Sequence, residues 1–463
     1  MIPSPIRILS PIDGSLVAER RPAADTEVAA AIGVARAAQK AWRKTSIAER
    51  AKRCLAFVDA MLAMREAIVP ELARQMGRPV RYGAGELRGL EERARFMIGI
   101  AEEALAPFEP SPRDGFKRWV QRDPLGIVFV IAPWNYPYLT AVNSIVPALM
   151  AGNAVILKHA SQTLLVGERF QAAFDAAGLP KGLFQNLVLT HGQAARLIAG
   201  RAVDQVNFTG SVSGGRAIEA AASGGFLGVG LELGGKDPGY VRADADLARA
   251  VETLVDGAFF NSGQSCCGIE RIYVEKSRYG EFVERAVELT KTYVLGDPLD
   301  EATTLGPLVK AEAAEFVRGQ VAAALRGGAR ALLDPKAFAH DKAGTPYMAP
   351  QIVVDVNHQM SLMRDESFGP VVGIMAVADD EEAVKLMNDS PYGLTAAIFS
   401  RDAETAQRIG QDIETGTVFL NRCDYLDPAL AWTGVKDTGR GVTLSRLGYE
   451  ALTRPKSFHL KLG

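Results

Sequence analysis

From Gly115 onward the chain alternates short apolar runs with amphipathic stretches, and this alternation limits the possible folds more than any other feature. GIVFVIA (126–132), NAVILK (153–158), LFQNLVL (183–189), QVNF (205–208) and GVGLEL (228–233) are separated by helix-like segments such as 162–177 and 212–222. Runs that are apolar on both sides of a strand need cover on both faces, which a parallel sheet wrapped by helices provides. The pattern resumes from Asp244 to Asn421, with strands expected at 272–275, 371–377, 396–399 and 416–421 and helices near 247–260, 277–291, 310–326 and 403–413. With 463 residues the chain also exceeds what one core organises, so two α/β units are expected.

Ahead of this region the chain reads as helical. Asp25 is placed to cap a helix running to about Trp42, and Ser46 with Glu49 forms a capping-box pattern before an amphipathic stretch to about Gln75. A further helix spans roughly Gly85 to Ala106 and ends in the irregular FEPSPRDG. The last segment, RPKSFHLKLG, alternates Phe458, Leu460 and Leu462 with polar residues, the pattern of a half-buried strand that needs a sheet edge.

Hydrophobic residues at 48% and charged residues at 23% are ordinary globular usage, far from the composition of disorder. A net charge of −2, with no basic run carrying interleaved aromatics, argues against nucleic acid as a partner. No stretch has the roughly 18 uninterrupted apolar residues of a membrane span, and MIPSPIRILSPIDGSLVAER lacks a signal-peptide pattern, so the expectation is a cytoplasmic protein with no membrane partner. The four cysteines, Cys54, Cys266, Cys267 and Cys423, make neither a disulfide framework nor paired C-x-x-C spacing; no metal site is expected.

Three strings carry chemistry. In FFNSGQSCCG (259–268), Cys266 follows small, turn-forming residues, where backbone N–H groups can favour a thiolate nucleophile; the alternative is a pair of small buried residues. In LELGGKDP (231–238), Glu232 ends an apolar strand, where partial desolvation raises a carboxyl toward the range of a general base; the alternative is a strand-end acid reaching water. In APWNYPY (132–138), two prolines pin the backbone around Asn135 at a strand end and fix an amide that can serve an oxyanion hole, against the alternative of a proline-braced aromatic loop.

PWNYP, LELGGKDP, GQSC and ESFGP (366–370) in this order and at these separations resemble the aldehyde dehydrogenase superfamily over essentially the whole chain. The resemblance implies two doubly wound Rossmann-like α/β domains with a small β oligomerisation arm. Segments 1–106 and 125–233 would bind the cofactor, 234–435 would carry the nucleophile, and 107–124 with 452–463 would form the arm of a homodimer or homotetramer. It implies Cys266 as nucleophile, Glu232 as general base and Asn135 as oxyanion donor together with the Cys266 N–H. The aldehyde would be oxidised through a thiohemiacetal and a thioester that water hydrolyses. Glu232 argues against a CoA-acylating enzyme, and the intact trio against a catalytically silent binding protein.

No G-x-G-x-x-G follows a strand; FTGSVSGG (208–215) stands in its place, with Gly210, Ser211 and Gly215 opening a helix whose N–H groups can face a pyrophosphate. The resemblance adds Ala132, Pro133, Trp134, Leu233 and Gly234 around the cofactor, Lys158 and Ser161 at the adenosine ribose, Glu366 at the nicotinamide ribose and Phe368 beside the nicotinamide. KHAS (158–161) departs from the common pattern, which ends in Glu: Ser161 does not repel a 2′-phosphate, so NAD and NADP are both expected to serve. KHA with PWNYP at this length is similar to the bacterial succinate-semialdehyde dehydrogenase-like branch. Substrate-facing positions would be Tyr138, Val142, Arg422, Tyr425 and Trp432, with Arg422 a candidate clamp for a distal carboxylate. The aromatic residues suit an aromatic or medium-chain aldehyde as the alternative substrate.

Overall fold

A computed structural model describes residues 4–462; residues 1–3 and 463, the ends of the segments 1–106 and 452–463, lie outside the described residues. The apolar runs become the strands of two sheets. The first has six strands in the order Gly439–Arg440, Gly228–Glu232, Gln205–Thr209, Ile127–Ile131, Ala154–Lys158, Phe184–Asn186, parallel except for the short Gly439–Arg440 edge. The second has seven: Arg330–Ala331, Gln351–Val354, Val371–Val377, Ile269–Glu275, Asp237–Val241, Thr395–Phe399, Thr417–Leu420, with only the first pair antiparallel. Ile127–Ile131 and Ala154–Lys158 are buried at every residue, as strands covered on both faces must be.

In the first sheet the chain builds outward from Ile127–Ile131 to Phe184–Asn186, then crosses to the other side for Gln205–Thr209. Connections leaving a central strand in opposite directions open a crevice at the strand C-terminal ends, where ligands bind in doubly wound sheets. Helix Pro137–Met150 starts there, with Pro137 at its first turn, where a missing N–H costs nothing.

The helical opening holds with adjustments. Ser46 caps Ile47–Ala63 by accepting from the Glu49 N–H at 3.2 Å, and the chain leaves helical geometry at Met64 before restarting as Arg65–Met76. Helix Asp25–Trp42 is capped by the Glu27 carboxylate, which accepts from the Ala24 N–H at 2.6 Å, so Asp25 lies inside the first turn. Thr453–Lys461 pairs antiparallel with Phe116–Pro124 and so finds its edge. Half-burial was expected there, but Leu460 and Leu462 remain 43% and 54% exposed, because nothing among the described residues covers the ribbon's apolar side. Among the described residues no helix is long and apolar enough to cross a membrane.

Candidate active site

A cleft of about 560 Å³ opens at the C-terminal ends of the first sheet. Each strand delivers residues as it leaves the sheet: Ala132–Asn135 after Ile127–Ile131, Ser161 after Ala154–Lys158, Gly210 and Ser211 after Gln205–Thr209, and Leu233 and Gly234 after Gly228–Glu232. Cys266, Glu366 and Phe368 reach it from the second sheet's side. Cys266, Glu232 and Asn135 therefore border one cavity, although 97 and 34 residues separate them in sequence.

The loop before Cys266 is held in an unusual conformation. Asn261, Ser262 and Gly263 take successive left-handed backbone angles (φ 54°, 55° and 72°), strain that persists only when the surroundings fix it. They do: Ser262 Oγ donates to the Gly306 carbonyl at 2.8 Å, and Asn261 Nδ2 to the carbonyls of Asn135 (3.3 Å) and Gln264 (3.1 Å). A Cβ on Gly263 would lie 2.1 Å from the Gly369 carbonyl oxygen, and one on Gly235 2.1 Å from that of Cys266. These two glycines let the GQSC, ESFGP and LELGG segments touch.

Asn135 is buried and its Nδ2 donates one hydrogen to the Gln264 carbonyl at 3.1 Å, leaving the other free. The Cys266 N–H has no acceptor among the described residues. Behind Asn135 sits an ion pair that sequence reading did not find: Arg78 and Glu86, 2% and 1% exposed, are bonded to each other. Arg78 also donates to the Asn135 carbonyl at 2.6 Å and to Asn261 Oδ1 at 3.2 Å, and lies 4.4 Å over the Tyr136 ring. Glu86 accepts the Tyr138 N–H at 2.9 Å, anchoring the start of helix Pro137–Met150.

Burial pushes the Glu232 carboxyl above its ordinary range; hydroxyls of Thr443 (2.6 Å) and Thr209 (3.1 Å) and the charge of Arg93 pull the other way. Glu366 is pushed up to about 8 by burial and by the neighbouring Glu270 charge, while accepting the Gly235 N–H at 2.9 Å. Its ESFGP loop is pinned by Glu270, which accepts the N–H groups of Ser367 and Phe368 and pairs with the buried Lys236.

Of the residues read as cofactor contacts, Ala132, Pro133, Trp134, Lys158, Ser161, Gly210, Ser211, Leu233, Gly234, Glu366 and Phe368 line the cleft. Gly215 lies beneath it, where a Cβ would meet Leu233 at 2.7 Å. Ser211 caps helix Val212–Ala222 by accepting from the Gly214 N–H at 3.1 Å. Lys158 is 3% exposed with no ion-pair partner among the described residues, and burial lowers its pKa. A buried cation without a carboxylate suits an anionic ligand. His191, absent from the sequence reading, joins Lys158 and Ser161 on the cleft wall.

The substrate-facing expectations need correction. Tyr138 and Val142 are 0% and 1% exposed, on the face of helix Pro137–Met150 that packs into the core, with the Tyr138 ring stacked 5.7 Å from Phe170. Helical periodicity turns both inward. Trp432, 5% exposed, also belongs to that core. Arg422 is exposed and stacks 3.9 Å over Tyr425, whose hydroxyl donates to Glu92 at 2.7 Å.

Fold and cleft together define a class: a doubly wound α/β protein that brings a cysteine, a desolvated carboxyl and a tethered amide to the mouth of a dinucleotide-type crevice. The chain belongs to the aldehyde dehydrogenase family, whose model matches residues 3–458, and so to the oxidoreductases that act on aldehyde groups. It is 34% identical over 456 residues to the succinate-semialdehyde dehydrogenase [NADP(+)] of Mycobacterium avium, covering 98% of this chain and 96% of that one. It is likewise 34% identical to the succinate semialdehyde dehydrogenase [NAD(P)+] Sad of Escherichia coli, over 90% of each chain. The solved succinic semialdehyde dehydrogenase of Streptococcus pyogenes, in complex with NADP+, superposes with a TM-score of 0.93 at 29% identity, covering 98% and 100% of the two chains.

Proposed function

We propose that this protein oxidises succinate semialdehyde to the carboxylic acid with NAD or NADP, through a thioester on Cys266. The observation that carries the reading is the meeting of Cys266, Asn135 and Glu232 on one cleft. The Cys266 thiolate adds to the aldehyde carbon, giving a thiohemiacetal whose oxyanion accepts from the free Asn135 N–H and the Cys266 N–H. When bound, the nicotinamide supplies the hydride acceptor that turns this adduct into the thioester. Glu232, kept out of bulk water, takes a proton from the water that attacks the thioester, and Cys266 leaves as the free acid forms. Lys158, Ser161 and the capped helix at Ser211 would hold the adenosine and phosphate end, and Glu366 and Phe368 the nicotinamide end. Ser161 in place of a carboxylate supports use of either cofactor. Both curated relatives are named for succinate semialdehyde, which favours that substrate over an aromatic or medium-chain aldehyde.

We assign cofactor binding to 1–106 and 125–233, the nucleophile domain to 234–435, and an oligomerisation arm to 107–124 and 452–463. The uncovered apolar side of the arm supports a homodimer or homotetramer. Free thiols at all four cysteines accord with a cytoplasmic location.

The test is an aldehyde panel without CoA, following reduced cofactor with NAD and NADP separately. Cys266→Ala abolishes turnover, whereas Glu232→Gln keeps a first burst and loses the steady state. Near-wild-type rates for Cys266→Ala would sink the mechanism.

A further inference from the structure

Arg93 is the buried cation that the expected Arg422 clamp is not. It lies on the inward face of helix Val80–Ala104, among Leu87, Leu90, Ala94 and Met97, and is 6% exposed. Its Nη1 donates to the Leu139 carbonyl at 2.8 Å and reaches Asn143 Oδ1 at 3.4 Å; Nε and Nη2 have no acceptor among the described residues. They are not among the polar side-chain atoms sealed from the surface without a partner. The guanidinium therefore keeps two donor nitrogens free.

The carboxyls in its field are committed elsewhere. Glu86 pairs with Arg78 and accepts the Tyr138 and Leu139 N–H groups; Glu92 accepts from Tyr425; Asp424 accepts from the Cys267 thiol at 2.8 Å; Glu232 accepts from two threonines. Burial pushes the Asp424 and Glu232 carboxyls up, and each already accepts from neutral donors; among the described residues no carboxylate is hydrogen-bonded to or ion-paired with Arg93. An unmatched buried charge is costly unless a ligand supplies the counter-charge. Arg93 holds the first turns of the helix that follows Asn135, and its neighbour Glu92 accepts from Tyr425, next to the Asp424 that accepts from the Cys267 thiol, so that counter-charge would sit on the side of the cysteine loop.

We propose that Arg93 receives the distal carboxylate of the aldehyde substrate and makes the enzyme selective for a short ω-carboxylated aldehyde. The proposal rests on the reading of the cleft as an aldehyde-oxidising site. Succinate semialdehyde, about 4 Å between its end carbons when extended, places its carboxylate one short chain from the thiol-bound carbon. A planar guanidinium with two free N–H groups is the geometry that binds a carboxylate bidentately.

The experiment measures kcat/KM for succinate semialdehyde and for butanal in the wild type and in Arg93→Gln, Arg93→Lys and Arg422→Gln, with thermal melting of each. The expected result is a succinate semialdehyde to butanal ratio well above one in the wild type. Arg93→Gln lowers that ratio by about 30- to 100-fold, mainly through KM. Arg93→Lys lowers it less, and Arg422→Gln leaves it in place. A wild-type preference that survives Arg93→Gln, or equal losses on both aldehydes, overturns the inference while leaving the substrate reading intact. A wild-type ratio at or below one overturns the substrate reading and this inference with it. Should Arg93→Gln melt far below the wild type, Arg93→Lys decides: an unchanged ratio overturns the inference, and a fall of about tenfold supports it.

Discussion

Replacing Arg78 by Met removes one half of an ion pair that is closed to solvent on both sides. Glu86 keeps its charge, loses its cation and stays 1% exposed, a situation that costs about 3–5 kcal/mol. The Asn135 carbonyl loses its 2.6 Å donor as well. For 463 residues unfolding as one unit, the unfolding entropy is about 1 kcal/mol per kelvin, so the melting temperature should fall by about 3–5 °C. Differential scanning calorimetry on Arg78→Met, Glu86→Leu and the double variant measures this. The two effects should not add: with no buried charge left, the double variant should recover about 1–3 kcal/mol relative to the sum of the singles. Because Arg78 also fixes the backbone of Asn135, Arg78→Met should lower kcat in both single and double variants. Additive losses, or a single-variant shift under 1 °C, would refute the view that this pair braces Asn135.

Three further outcomes are expected. Glu366, raised to about 8, adds stability that is complete below its unfolded value and is lost as pH rises through about 8; Glu366→Gln should flatten the fall in melting temperature between pH 6 and 9, and an identical profile would contradict it. Ser161→Glu should cut kcat/KM with NADP at least tenfold relative to NAD, since a carboxylate would face the 2′-phosphate; an unchanged cofactor ratio counts against the placement of the ribose. Leu460→Glu, on the exposed side of the Thr453–Lys461 strand, should reduce the light-scattering mass to that of one chain, and an unaltered mass would argue against the arm as the contact.

Elements whose pattern is local were legible in the sequence. The doubly apolar strands and the Ser46 cap depend on neighbours a few residues away, and most stand within a residue or two of expectation; Phe184–Asn186 is shorter than its apolar run, Ile269–Glu275 starts three residues before the expected 272, and the buried strands Asp237–Val241 and Gln351–Val354 were not expected. Cys266, Glu232 and Asn135 were readable because each sits in a string of Gly or Pro whose backbone demands are unusual. Glu86 and Arg93 were missed because the helix Val80–Ala104 was read for its amphipathic face alone. The available signal was their spacing: both fall in the register of Leu87, Leu90 and Met97, where a charge has to be matched by something across the interior. The inward turn of Tyr138 was hidden for the opposite reason, since an aromatic after PWN reads equally well as wall or as core.

The edge strand Gly439–Arg440 joins the first sheet directly beside Glu232, and Thr443 donates to that carboxyl. The Glu232 carboxyl thus takes its surroundings from residues about two hundred positions downstream, and the segment that follows them buries Leu444, Tyr449 and Leu452 in the core of the same sheet, so what sets this carboxyl and what closes the fold are one piece of chain.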